Sequence, residues 1–135
     1  MNVPRPDRAL IVDDDALNLE LLQTVLEGAG FETFGADDAI HGLDLARRMQ
    51  PDIVLMDLQL PGMNGLDATR ALRADPSTAR IPVIAVTAHV RKDDEERCRA
   101  AGCVMHVGKP VDTRELPKLV RRILDATRTA ERRDT

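Results

Sequence analysis

The sequence predicts an α/β domain: a parallel sheet of five strands, covered on both faces by five helices. Three observations carry that prediction. Short β-branched runs alternate five times with longer amphipathic stretches along the 135 residues, the pattern of strand–helix–strand units. Three of those runs, "ALIVD" (9–13), "DIVLMD" (52–57) and "IPVIAVT" (81–87), are almost wholly apolar, as strands buried on both faces are. Phe31 and Phe34 are the only aromatic residues, so the core must be aliphatic. The length suits one domain with one core, expected over residues 1–135 with its body at about 8–127 and a polar tail at 128–135.

Each element follows in order. "ALIVD" is the first strand. The stretch after it carries Leu17, Leu21, Leu22, Val25 and Leu26 on one predicted stripe, closed by glycines. "FETFGA" (31–36) is a more polar strand suited to a sheet edge. Asp37 or Asp38 can cap a helix bearing Ile40, Leu43 and Ala46, which must end before Pro51. "DIVLMD" is the third strand, and Asn64 can cap a short helix with Leu66 and Leu72. "IPVIAVT" is the fourth strand. "RKDDEERCRAAG" (91–102) is helical but nearly all charge, with little apolar surface to anchor it, which predicts a mobile helix. "CVMHVG" (103–108) is the fifth strand. Leu116, Leu119, Val120, Ile123 and Leu124 line the last helix. Pro117 predicts that this helix starts later than Asp112 or starts strained, and "RTAERRDT" predicts a frayed end.

Composition excludes several function classes. The net charge is −4, and without Tyr or Trp there is no base-stacking surface, so direct nucleic-acid binding is not expected. Residues 1–57 hold 12 acids against 4 bases, while 58–135 hold 11 against 15; the asymmetry favours a charged partner. No apolar run approaches a membrane span, and "MNVPRPDRAL" has no signal-peptide core. Two cysteines, Cys98 and Cys103, suit a reducing compartment. A cytoplasmic protein is the expectation.

Parallel sheets place ligands outside the carboxyl ends of their strands. Those ends carry Asp13, Asp14 and Asp15 after the first strand, Asp57 after the third, Thr87 after the fourth and Lys109 after the fifth. Converging carboxylates raise one another's pKa, and a hard cation with oxygen ligands relieves them. Mg²⁺, held by one or two carboxylates with waters and phosphate oxygens, fits that rim. An aspartate beside it can attack phosphorus and become an aspartyl phosphate, with Thr87 and Lys109 left to bind phosphoryl oxygens.

At this point "LIVDDD", "DIVLMDLQLPGMNGLDATR", "PVIAVTAH" and "GKP" come together in order. The chain resembles the receiver domain of two-component response regulators from about Ala9 to Ala126. That resemblance implies a flavodoxin-like sheet of order 2-1-3-4-5. It implies that Asp57 is the phosphoacceptor, that Asp14, Asp57 and the Gln59 backbone carbonyl ligate Mg²⁺, and that Asp13 acts through a water. It gives Thr87 and Lys109 the phosphoryl contacts, Ala88 the small residue that keeps the site open, and Gln59 and His89 control over the lifetime of the phosphorylated state. It implies a cis Lys109–Pro110 peptide, and leaves Asp15 as a helix cap. The implied partners are a histidine kinase or histidine phosphotransfer protein as donor, and an effector at the fourth helix, fifth strand and fifth helix. No output domain follows, so a stand-alone receiver is expected; a fragment of a larger regulator is the alternative.

His106 departs from the pattern, since the resemblance puts Tyr or Phe there, a ring that swings inward on activation. An imidazole titrates between about pH 5 and 8; a weaker or pH-dependent readout competes with the plainer reading of a tolerated substitution. A small-molecule phosphatase with an aspartyl intermediate would want a second acid two residues after the nucleophile, where Gln59 stands. Cys98, Cys103 and His106 match no zinc-site spacing. The basic residues of the last helix read first as a solvated face, and His41 as a solvated side chain.

Overall fold

A computed structural model describes residues 5–88 and 92–133, without the side chains of 92–94 and 133. In chain order the elements are β1 (Arg8–Val12), α1 (Ala16–Gly28), β2 (Glu32–Ala36), α2 (Ala39–Met49), β3 (Ile53–Asp57), α3 (Gly65–Ala74), β4 (Val83–Thr87), α4 (Lys92–Ala101), β5 (Met105–Gly108) and α5 (Leu116–Arg133). The five strands form one parallel sheet in the order β2-β1-β3-β4-β5. The predicted fold class holds, with β2 at one edge and β5 at the other.

The period of two along each strand divides the core into two layers. Leu10, Val12, Val54, Met56, Val83 and Ala85 face α2, α3 and α4. Ala9, Ile11, Ile53, Leu55, Ile84 and Val86 face α1 and α5, where Leu22, Leu26, Leu116, Val120 and Leu124 meet them with Phe31. Close approach is part of this packing: a Cβ on Gly42 of α2 would stand 2.7 Å from a Val12 methyl. No described helix is long and apolar enough to cross a membrane.

Helices differ from expectation in which residues they bury. Leu22 and Leu26 of α1 enter the core, whereas Leu17 is 79% exposed and Leu21 46%. Leu17 lies nine positions from Leu26, about half a turn around the helix, and so faces away from the sheet. Ile40 is likewise outward on α2, and Ala39, Gly42, Leu43 and Ala46 are the buried set. The expected caps hold: Asp38 accepts the His41 N–H at 2.7 Å, and Asn64 accepts that of Asp67 at 2.9 Å.

The last helix starts where the proline permits. Asp112 accepts the N–H groups of Arg114 and Glu115, and α5 opens at Leu116 with Pro117 in its first turn, where a missing N–H is no loss. Its end is helical to Arg133, beyond the point where fraying is expected. Asp7 ties the helix down at Arg121 and Arg128. Its carboxylate accepts from Arg121 at 2.6 Å and from Arg128, and the Arg128 hydrogen bond holds the carboxyl below its usual pKa. The Arg121 guanidinium also stands 4.3 Å from the centre of the Phe31 ring.

The highly charged α4 is anchored at its end. Cys98 and Ala101 are buried, and Gly102 (φ +107°) turns the chain out of the helix. Arg73 of α3 reaches across and donates to the Gly102 carbonyl at 3.1 and 2.7 Å, and to the carbonyls of Ala79 and Ile81. One guanidinium thus joins α3, the approach to β4 and the exit of α4.

Candidate functional site

The register of the parallel strands sets the rim. Val12 pairs with Met56, Asp57 with Val86, and Thr87 with Gly108, so β1, β3, β4 and β5 end nearly level. The residues that follow must leave the sheet there. Asp13, Asp57 and Thr87 are buried, Asp14 is exposed and Lys109 is half-buried. The acids and the lysine converge as the sequence predicts: Asp13, Asp14 and Asp57 each offer a carboxylate oxygen within 4.8 Å of the others.

Lys109 reaches into this group from the end of β5. Its Nζ lies 3.2 Å from Asp57 Oδ2 and 3.2 Å from Asp13 Oδ2. Its own N–H donates to the Thr87 carbonyl at 2.9 Å, which fixes where the side chain departs. The Lys109–Pro110 peptide is cis. Asp57 Oδ1 accepts the Gln59 N–H at 3.0 Å, so both Asp57 oxygens are held. Asp15 caps α1 through the N–H groups of Leu17 and Asn18, the role expected of it.

Two residues in this structure were not legible as site residues. Asn18 Nδ2 donates to Asp13 Oδ2 from one turn into α1; a lone asparagine on a helix gives no signal by itself. Gly65 lies directly against the phosphoacceptor candidate. A Cβ there would come within 2.2 Å of the Asp57 carbonyl oxygen and 2.8 Å of the Leu58 Cα. Its signal is positional, a glycine directly after the Asn64 cap, where other residues would otherwise serve.

Electrostatics single out Asp57. Burial pushes its carboxyl above the ordinary aspartate value, against the Gln59 N–H and Lys109. Burial also works against the Lys109 ammonium, but the Asp57 and Asp13 carboxylates outweigh it and leave the lysine raised. Three carboxylates face one ammonium. The excess negative charge, the all-oxygen donor set and the buried Asp57 suit a hard divalent cation.

The other residues that the sequence singles out lie in several parts of the fold. Gln59 and Ala88 are exposed, beside β3 and β4 respectively. His89 lies outside the described residues. His106 is on β5, opposite Ala85, and its Nε2 is 3.2 Å from Glu95 Oε1 of α4. Cys98 and Cys103 are both buried, and neither is in a disulfide. His41 is on the surface, 3.4 Å from oxygens of Asp37 and Asp38.

Likeness to known proteins agrees with this geometry. A family model described as the response regulator receiver domain matches residues 9–121. The polar-differentiation response regulator DivK of Brucella anthropi is 44% identical over 106 residues, which cover 78% of this chain and 86% of that protein. A CheY-like response regulator receiver domain protein from Methanospirillum hungatei superposes with a TM-score of 0.87 at 27% identity, over 93% of this chain and 99% of that one. The receiver domain of a sensor histidine kinase from Pseudomonas aeruginosa, solved with a magnesium ion coordinated in its active site cleft, gives 0.82 at 31% identity. That match covers 90% of this chain and 99% of the other.

Proposed function

The chain belongs to the response regulator receiver family, and from that premise we propose that Asp57 accepts a phosphoryl group and that the modified protein signals through a partner. One observation supports this most: three rim carboxylates converge within 4.8 Å while Lys109 stands 3.2 Å from two of them. Asp57 attacks the phosphorus of a phosphohistidine on a kinase or phosphotransfer protein; a P–O bond forms and the P–N bond breaks. Lys109 then turns from the lost carboxylate charge to a phosphoryl oxygen, and the Thr87 hydroxyl donates to another. Asp13, Asp14, Asp57 and the Gln59 carbonyl are the residues that would hold Mg²⁺, which supplies positive charge to the phosphoryl oxygens when bound. Water at phosphorus returns the aspartate, and Gln59 and His89 set how readily it does so. The protein is a phosphoacceptor rather than an enzyme with a free substrate.

The test is intact mass after incubation with Mg²⁺ and acetyl phosphate. Wild type should gain one phosphate; Asp57→Asn, or wild type with the metal chelated, should gain none. Equal labelling of wild type and Asp57→Asn would place the acceptor elsewhere.

For output we propose the face formed by α4, β5 and α5. β5 is an edge strand, and Val104 beside it and Met105 on it are 50% and 41% exposed. The His106–Glu95 contact joins β5 to α4 across that face. Amide exchange with and without phosphodonor should change over α4 and β5. An unchanged pattern there rules out this face as the readout.

A further inference from the structure

Cys98 and Cys103 take no part in the phosphoacceptor site, yet the fold brings them together. Gly102 donates to the Arg99 carbonyl at 3.1 Å, and the Cys103 N–H to the Cys98 carbonyl at 2.9 Å. With Gly102 at φ +107°, these bonds make a Schellman ending for α4. The first and last residues of that motif are the pair whose side chains meet. Here both are cysteines, and both are buried.

Standard backbone dimensions and the 2.9 Å bond keep the two Cα atoms within about 7 Å, near the span a disulfide bridges. A cavity of about 70 Å³ touches both cysteines, with Arg99 and His106 also on its wall. It has room for roughly two waters, or for one hydrogen peroxide.

We propose that Cys98 and Cys103 are a reversible dithiol–disulfide pair, oxidised by hydrogen peroxide. One thiolate attacks a peroxide oxygen; the S–O bond forms, the O–O bond breaks, and the leaving hydroxide becomes water. The second thiol attacks the sulfenic sulfur; the S–S bond forms, the S–O bond breaks, and a second water departs. Two thiols are oxidised and one peroxide is reduced to two waters. Burial pushes the Cys103 thiol above its ordinary pKa, so little of it is thiolate at neutral pH and the first step is slow. The pairing is independent of the phosphoacceptor reading.

The full chain is treated with hydrogen peroxide, quenched in acid, then alkylated under denaturing conditions. Wild type should lose about two mass units and both alkylatable thiols, with dithiothreitol restoring them. Tryptic cleavage after Arg99 separates the cysteines, so the product should contain CR linked to AAGCVMHVGKPVDTR. Cys98→Ser and Cys103→Ser should lose this product. Two thiols that survive in wild type, oxygen added without a link, or a linked dimer of two chains would each overturn the proposal. Wild type alone decides it, whether or not the variants fold.

Discussion

Alanine at position 65 is expected to cost about 3 kcal/mol of stability and most of the phosphoryl-acceptor activity. The new Cβ would meet the Asp57 carbonyl oxygen at 2.2 Å and the Leu58 Cα at 2.8 Å, and both are backbone. No side chain can swing aside to relieve the contact. Either the start of α3 lifts from the end of β3, or Asp57 shifts relative to Lys109. Gly28→Ala is the matched control, because a Cβ there meets nothing within 4 Å; it should be neutral or gain about 0.5 kcal/mol. Urea denaturation and phosphate uptake, measured on both variants, check the pair of expectations. A wild-type midpoint for Gly65→Ala would mean that α3 does not press on Asp57.

Asp57→Asn should abolish labelling and, in metal-free buffer at pH 7, make the protein more stable. Burial raises the Asp57 carboxyl above its unfolded value. A raised carboxyl favours the folded state below the unfolded pKa, and that advantage is lost as pH rises through the folded pKa. Above the folded pKa wild type has lost it, whereas asparagine carries no charge to bury. The gain should be on the order of 1 kcal/mol, or roughly 4 °C in Tm for a domain of this size. It should shrink as pH falls toward 4 and Asp57 becomes protonated. Added Mg²⁺ should reverse the order, by stabilising wild type and leaving Asp57→Asn nearly unmoved. Thermal melts at pH 7 and pH 4, with and without the metal, carry the test. A variant less stable than wild type in metal-free buffer at pH 7 would show that the Lys109 contact outweighs the burial of the charge.

The rim was readable before the structure because strand runs end abruptly on polar residues, and parallel strands bring those ends together. Asp13, Asp57, Thr87 and Lys109 each close an apolar run, so each announces its own position. Leu17 shows the opposite case. An apolar residue on a helix suggests burial, but only the angle to the sheet decides it, and that angle comes from α1 docking through Leu22 and Leu26. Asn18 and Gly65 act through contacts with residues in other turns and strands, which composition does not mark. The partner of His106 is Glu95, eleven positions earlier but on a different element, so no period within one helix or strand links them. The charge of α4 was legible, but its anchorage through Arg73 was not, since arginine on a short helix reads as solvated.

That Arg73 clasp has a mechanical consequence. Its guanidinium ties the exit of α4 at Gly102 to the carbonyls of Ala79 and Ile81, and a glycine turn fixes the direction of departure. The helix is therefore a lever with its fulcrum at Gly102, and any tilt grows toward the end nearest Thr87. Amides of Gly102 and Cys103 should stay protected while the opposite end responds. A link between Cys98 and Cys103 would stiffen the pivot and leave the arm free to swing.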